Sequence, residues 1–458
     1  MTTPAPETPP ETAEPRPANT DTGGPLFFQR RFLPMWIALT AGAFSDNTLR
    51  QALLIGVSYG VIRTPGFENG DNSIPFIGAL LPFAIMIFSP LSGQLADRFE
   101  TSLMFRRTKL AEVAMMLLAA YAFSSGNGLL ATMMLFGMGA QSAFFSPVRI
   151  GAMPKYLQAN ELVRGNGLCN AGLFTAILVG YAVGGFLIAR ENGGAMVAMV
   201  LVSASTVGFI AASMTPLAAA NAPGLRINFN VATQSFAMFR IVLGARGVAP
   251  PLFGVGVFYL LSTAVTVITP LYARDALHAN AMVATALNGL FAIGAGIGAV
   301  TAASLSKNRS GLAEATIAVG AAGVLAIIVY LITPLAAPAD GALTLGGLFG
   351  SAIGLTLCAA FVATAALMGV YIAPLQAAMQ RRAPAGVRAR IMAAGAFMNA
   401  AFAIPGSLAI FAITSTGADP RLVFLAVAAA MLSISAYMLH RRRTLPAGLY
   451  DEMLNGKN

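Results

Sequence analysis

The sequence predicts an all-α membrane protein of twelve transmembrane helices arranged as two six-helix bundles, and three observations carry that prediction. Hydrophobic side chains make up 57% of the 458 residues and charged ones only 10%, where a soluble globular chain holds about 25% charged residues. Apolar runs of ~18 residues or more, long enough to cross a bilayer, recur along almost the whole length. The basic residues gather in every second loop between those runs.

Residues 1 to 25 are rich in Pro, Thr and Glu and almost free of large apolar side chains, so burial cannot offset their ordering entropy. Residues 1–31 are therefore expected to form a disordered cytoplasmic tail. The tail lacks the basic start, apolar middle and small-residue cleavage site of a signal peptide, which leaves insertion to the first span. Six spans are expected near 32–62, 74–96, 106–125, 128–148, 164–189 and 195–214, making a first bundle over 32–214. A more polar stretch, 215–249, reads as a cytoplasmic connector, with Phe229 to Leu243 as an interfacial helix. The second bundle, 250–440, holds spans near 250–273, 280–305, 311–333, 344–378, 389–414 and 420–440, and 441–458 is a cytoplasmic tail.

With the N-terminus inside, 23 of the 28 basic residues fall on the cytoplasmic side and only Arg63, Arg190, Arg274 and Arg421 on the other, Arg50 lying within the first span. That asymmetry puts both termini in the cytoplasm and demands an even number of spans. It also accounts for the net charge of +10 without nucleic acid, which needs a basic patch on a folded surface. Cys169 and Cys358 lie alone in apolar helices, so neither a disulfide framework nor a metal site is expected, and no cofactor is called for.

The halves resemble each other. Lys109-Leu110-Ala111-Glu112 opens the third span and Gly311-Leu312-Ala313-Glu314 the ninth. Phe145-Ser146-Pro147 and Ile372-Ala373-Pro374 each close a span before a basic loop, and Asn170 and Asn399 follow within the next helix. Internal symmetry of this kind belongs to transporters that rock one bundle against the other about a central site.

After the second span stands Gly93-Gln94-Leu95-Ala96-Asp97-Arg98, which resembles the signature that the major facilitator superfamily carries between its second and third helices. In this reading Gly93 permits close helix approach, and Asp97 latches the cytoplasmic side by meeting a helix N-terminus or a basic residue. Arg98, Arg106 and Arg107 complete the gating set. The sequence departs from the superfamily where Glu100 and Thr101 replace the usual Gly-Arg.

Ionisable groups inside a membrane are costly and by default functional. The first span holds two, Asp46 and Arg50, at i and i+4, a spacing that puts both on one face where each can lower the other's desolvation cost. Either they line a substrate cavity or they form a structural ion pair. Glu112 is a candidate proton site or, equally, the partner of a nearby arginine. Gln141, Asn166, Asn170, Gln376 and Asn399 add uncharged polar groups that suit helix-to-helix hydrogen bonds singly and a polar head group together.

Particular strings resemble one family more narrowly. Phe44-Ser45-Asp46-Asn47-Thr48-Leu49-Arg50-Gln51-Ala52-Leu53, Phe144-Phe145-Ser146-Pro147-Val148-Arg149-Ile150-Gly151 and Pro374-Leu375-Gln376 look like the bacterial lysophospholipid transporters, over roughly residues 30 to 440. They are most similar to the transporter part of fusions with an acyl-carrier-protein-dependent phospholipid acyltransferase. The resemblance implies inward movement of lysophosphatidylethanolamine-like lipids across the inner membrane by a monomer, for reacylation by a cytoplasmic acyltransferase. It carries Asp46, Asn47 and Arg50 over as the span-one motif. The family's polar residues near Gly395 and Ala396 are replaced here by small ones. Acyltransferase chemistry needs His-x-x-x-x-Asp, which neither His278 nor His440 begins, so no enzyme is expected in this chain. Membrane lipid is the surrounding solvent, and Pro82, Pro90, Pro147, Pro374 and Pro405 can bend helices to admit an acyl chain sideways. Two other functions fit the same sequence: a proton-coupled exporter of small amphiphiles, titrating at Asp46 or Glu112, and a membrane scaffold that docks an acyltransferase.

Overall fold

The computed structural model describes residues 25–64, 70–158, 161–244, 248–305, 312–382 and 388–444. Among them are fourteen α-helices, short 3-10 and π turns, two isolated β-bridges and no strand. They are α1 (Leu33–Ser58), α2 (Ser73–Arg98), α3 (Thr101–Ser125), α4 (Gly128–Tyr156), α5 (Leu162–Ile188), α6 (Gly193–Ser213) and α7 (Val231–Gly244). After them come α8 (Ala249–Leu271), α9 (Ala281–Leu305), α10 (Leu312–Ala336), α11 (Leu345–Gly350), α12 (Ala352–Arg382), α13 (Arg388–Thr416) and α14 (Leu422–Thr444).

Ten of these are long and apolar enough to cross a membrane. Of the long helices, α1 and α3 fall outside that set, and the reason is chemical: α1 carries Asp46 and Arg50, and α3 carries Arg106, Arg107, Lys109 and Glu112. The two long helices outside the apolar set are those with the candidate functional charges.

Helix α1 packs on α5 and α6, α2 on α4, and α3 on α4 and α6. Likewise α9 packs on α12, α10 on α12 and α14, and α8 on α13, while α2 with α13 and α5 with α9 join the two groups. Small residues allow these approaches. A Cβ at Gly184 would collide with the backbone of Thr48, and one at Gly298 with that of Ala366, so α5 meets α1 and α9 meets α12 almost backbone to backbone.

Several boundaries differ from expectation. The predicted tail reaches residue 31, yet Leu26, Gln29 and Arg31 are buried: Arg31 donates to both carboxylate oxygens of Glu161 at 2.8 and 2.7 Å and to the Tyr156 carbonyl at 2.9 Å. Residues 1–24 and 445–458 lie outside the described residues. The third helix starts at Thr101, not near 106, because Glu100 caps it, as described below. The predicted span 344–378 is two helices, because Thr344 Oγ1 caps α11, Ser351 adopts an extended conformation, and its Oγ accepts from Gly354 N to start α12. In the connector, residues 214–230 form no helix and α7 occupies the place of the expected Phe229–Leu243 helix.

Candidate functional site

Along α1, residues 45–51 place a run of polar groups inside the helix bundle. Ser45, Thr48 and Gln51 are buried, while Asp46, Asn47 and Arg50 are half-buried. Asp46 Oδ2 accepts a 2.7 Å hydrogen bond from Ser142 Oγ of α4, and its Oδ1 is buried without a partner. Arg50 turns the other way, donating from Nη1 to the Tyr181 hydroxyl of α5 at 3.4 Å, and its Nε is buried without a partner. The structural Asp46–Arg50 ion pair, one of the two alternatives open for these residues, is therefore not formed: two neighbouring helices draw its members apart. Ser45 Oγ, Thr48 Oγ1 and Gln51 Nε2 also lack partners, an unusual concentration on two turns of helix, since buried polar atoms are nearly always hydrogen-bonded. Asn47 donates from Nδ2 to the Ala43 carbonyl of its own helix.

A second cluster adjoins the first. Lys109 and Glu112 on α3 are fully buried and form an ion pair of 2.6 Å. Gln141 Nε2 of α4 donates to the same Glu112 oxygen at 2.9 Å, leaving Oε1 without a partner. The Lys109 ammonium also lies 4.6 Å from the centroid of the Phe145 ring. A Cβ at Gly42 of α1 would strike Lys109 Nζ, so the glycine makes room for the ammonium. The partner of Glu112 is thus a lysine of its own helix and not an arginine. Lys109, which counts in the sequence only as a cytoplasmic-side charge opening the third span, is the main residue that sequence reasoning missed, although its i, i+3 spacing to Glu112 inside an apolar run was a signal. Adjacent residues of α4, Gln141 and Ser142, connect this pair to Asp46.

The helix ends differ. At the end holding Ser58, Asp71 and Arg274, away from most arginines, Arg274 Nη1 donates to the Ser58 carbonyl, and its guanidinium makes two bonds to Asp71, of 2.9 and 2.6 Å. Tyr59 Oη donates to the Ala279 carbonyl at 3.0 Å, and Ser407 Oγ to that of Pro75 at 2.7 Å. These bonds tie the first six helices to α8, α9 and α13.

At the basic end the bonds of Glu100, Lys155, Asp97 and Gln94 run to the segment after α6 and within the first group. Glu100 caps α3, accepting from Ser102 N, Ser102 Oγ and Leu103 N, and it accepts from Ala218 N at 2.8 Å as well. Burial pushes its carboxyl up, but these donors outweigh burial and hold it below the usual carboxylate range. Lys155 Nζ donates to Thr101 Oγ1 and to the Ala219 carbonyl.

The predicted gating residues lie here. Gly93 has open space around it, so close helix approach is not its role in this conformation. Asp97 is exposed and accepts from Asn221 Nδ2 at 2.9 Å, and the basic residue that it acts on electrostatically is Lys155 of α4. Arg98 is exposed beside the Phe99 ring, Arg106 donates to Ser102 Oγ at 3.0 Å, and Arg107 is exposed. Glu100, read in the sequence only as a departure, is the residue that organises this end.

Of the remaining predicted site residues, Gln141 joins the polar cluster. Asn170 is exposed on α5. Asn399 is half-buried on α13, with Oδ1 buried and unpartnered.

A family model described as Major Facilitator Superfamily matches residues 32–409. Among curated proteins, the lysophospholipid transporter LplT of Klebsiella pneumoniae subsp. pneumoniae is 28% identical over 363 residues, 78% of this chain and 82% of that protein. The lysophospholipid transporter LplT of Salmonella heidelberg is 27% identical over 367 residues, 79% of this chain and 82% of its own length. Among solved structures, a peptide transporter POT variant in complex with sulfate aligns with a TM-score of 0.66 at 16% identity, over 93% of this chain and 95% of that one. A nucleoside transporter NupG variant aligns with a TM-score of 0.62 at 13% identity, over 89% and 99%.

Proposed function

The chain belongs to the Major Facilitator Superfamily, and from that premise we propose that it carries lysophospholipids inward across the bacterial inner membrane by alternating access. The observation that carries the reading is Arg50, a guanidinium within α1 whose Nε is buried without a partner and whose one contact is a neutral hydroxyl at 3.4 Å. An uncompensated cation in that setting calls for an anion, and the phosphate of a lysophospholipid supplies one in the geometry a guanidinium reads best. The unpartnered Asp46 Oδ1 is then left for the amine of an ethanolamine head group. The names of the relatives point to the same substrate class.

In this reading α1 and α3 also cross the membrane, which makes twelve spans in two six-helix bundles, with 215–249 as connector and both termini cytoplasmic. Arg274 and its partners close the outer end, so the substrate site communicates with the cytoplasmic side, where a separate acyltransferase is the candidate recipient. Asp97, Arg98, Arg106 and Arg107 stand as a latch that engages when that side closes. Asn47, Gln141, Asn170 and Asn399 complete the path for the head group, and the protein works as a monomer.

Uptake of labelled lysophosphatidylethanolamine into liposomes that hold only this protein tests the proposal. Arg50→Gln and Asp46→Asn are each expected to lower uptake by tenfold or more, the worth of ~1.5–3 kcal/mol per charge-assisted bond. The double variant should stay inactive though folded. Near-normal uptake by a well-folded double variant refutes the assignment.

A further inference from the structure

A groove of about 830 Å³ opens on the flank formed by α1, α5 and α6, and the transport reading makes no use of it. Its walls are almost wholly apolar, with Trp36 and Phe44 from α1, Ala171 and Val179 from α5, and Met199 and Val207 from α6. It is separate from the polar cluster. Phe44 lines it, whereas Asp46, two residues further along a helix of 3.6 residues per turn, points roughly to the opposite side and meets α4. From the level of Trp36 to that of Phe44 the groove runs about 12 Å along the helix axis at 1.5 Å per residue.

The chemistry at one mouth indicates the occupant. Arg164, Leu168, Ala171, Thr175 and Val179 recur at i, i+4, i+7, i+11 and i+15, so they share one face of α5. The last four line the groove, and Arg164 stands one turn beyond them at the basic end. Its side chain is exposed and makes no hydrogen bond or ion pair with any described residue. An apolar channel on the outer flank of a membrane protein, with a free guanidinium where the helix leaves the hydrocarbon, complements an amphiphile that has an acyl chain and a phosphate.

We propose that this groove is a bilayer-facing site for a diacyl phospholipid of the leaflet at the basic end, one acyl chain lying between α1, α5 and α6 and the phosphate held by Arg164. The site is distinct from the transport route and does not depend on the identity of the transported lipid. The molecule carries its own reporter. Trp36 is the one tryptophan of the chain, and its Nε1 donates to the Leu168 carbonyl at 2.9 Å, which fixes the ring against the groove wall.

Phosphatidylglycerol with brominated acyl chains, titrated into the full-length protein in detergent, should quench Trp36 fluorescence to a plateau. Arg164→Gln, a substitution at an exposed side chain, should raise the half-saturating concentration about tenfold, the loss of one charge-assisted contact, with the plateau unchanged. Ala171→Phe combined with Ala204→Phe fills the groove and should abolish the saturable part. Quenching that rises without saturation and equally in wild type and Arg164→Gln overturns the proposal. A brominated lysophospholipid that saturates as tightly as the diacyl lipid overturns it too, because the groove then belongs to the transported single-chain amphiphile.

Discussion

The first six helices and the later six differ in where they keep their charges. Asp46, Arg50, Lys109 and Glu112 sit in the interior of α1 and α3, whereas the charged residues of α8 to α10 and α12 to α14 lie within the first or last few positions of their helices. The repeat pair makes the contrast sharp. Glu112 is fully buried against Lys109, but Gly311 stands where that lysine would be in the second half, and Glu314 is half-buried at the start of α10. A buried carboxylate without a cation is strongly destabilising, so the lone glutamate is found at a helix end and the paired one in the core. Repetition of backbone is therefore not repetition of chemistry: among the described residues the charges in helix interiors are concentrated in the first six helices, and the later six keep theirs at helix ends.

The largest expected effect tests that contrast directly. Lys109→Met leaves Glu112 buried and unpaired and should destabilise the protein by ~3–5 kcal/mol, while Lys109→Met with Glu112→Leu recovers most of the loss and Glu314→Gln changes stability by less than ~0.5 kcal/mol. Thermal unfolding in detergent measures all three. A double variant as unstable as the single one breaks the comparison.

Next in size is the clamp that joins the halves. Arg274→Ala removes the bonds to Ser58 and Asp71, at a cost of about 1–3 kcal/mol to the contact they hold. A cysteine introduced at Ser58 should then react faster with a polar thiol reagent, against the low background of the buried Cys169 and Cys358. Unchanged reactivity would show that apolar packing alone holds that end.

Asp97→Asn should cost less than ~1 kcal/mol of stability, because the exposed carboxylate loses only part of its contact with Asn221. Uptake of labelled lysophosphatidylethanolamine should nevertheless fall if Asp97 latches the closed cytoplasmic side, so normal transport by this variant removes the latch.

The smallest effect is a pH dependence. Glu100 has a carboxyl held below its ordinary value, so its contribution is fully present above that ordinary value and is lost as pH falls through the depressed one. The difference in melting temperature between wild type and Glu100→Gln should be constant near neutrality and shrink as pH falls below the usual carboxylate range. A gap that widens with acid would contradict the sign.

Much of the helix order was legible because apolar length and loop charge are written along the chain, and Asp46 and Glu112 stood out as ionisable groups in apolar surroundings. Partners were less legible. The i, i+4 rule pairs Asp46 with Arg50 on an isolated helix, but Ser142 and Tyr181 arrive from α4 and α5 and compete for the two ends, which local spacing cannot reveal. Lys109 counts only as a cytoplasmic-side charge because the positive-inside rule adds up charges without seeing that Gly42 opens a place for one. Glu100 looked like a lost motif residue because its partner Ala218 is 118 positions away.

The connector's first part also has a bearing on how the chain can be divided. Lys155, Glu100, Asp97 and Gln94 hold the stretch from Ala218 to Asn228 against the helices that precede it. A chain cut after Asn228 and produced as two polypeptides keeps all four anchors on one fragment and should reassemble. A cut at Met214, in the same loop, strips them away and should not. The place to divide the chain therefore lies just before the start of α7, some eighteen residues beyond the last residue of α6.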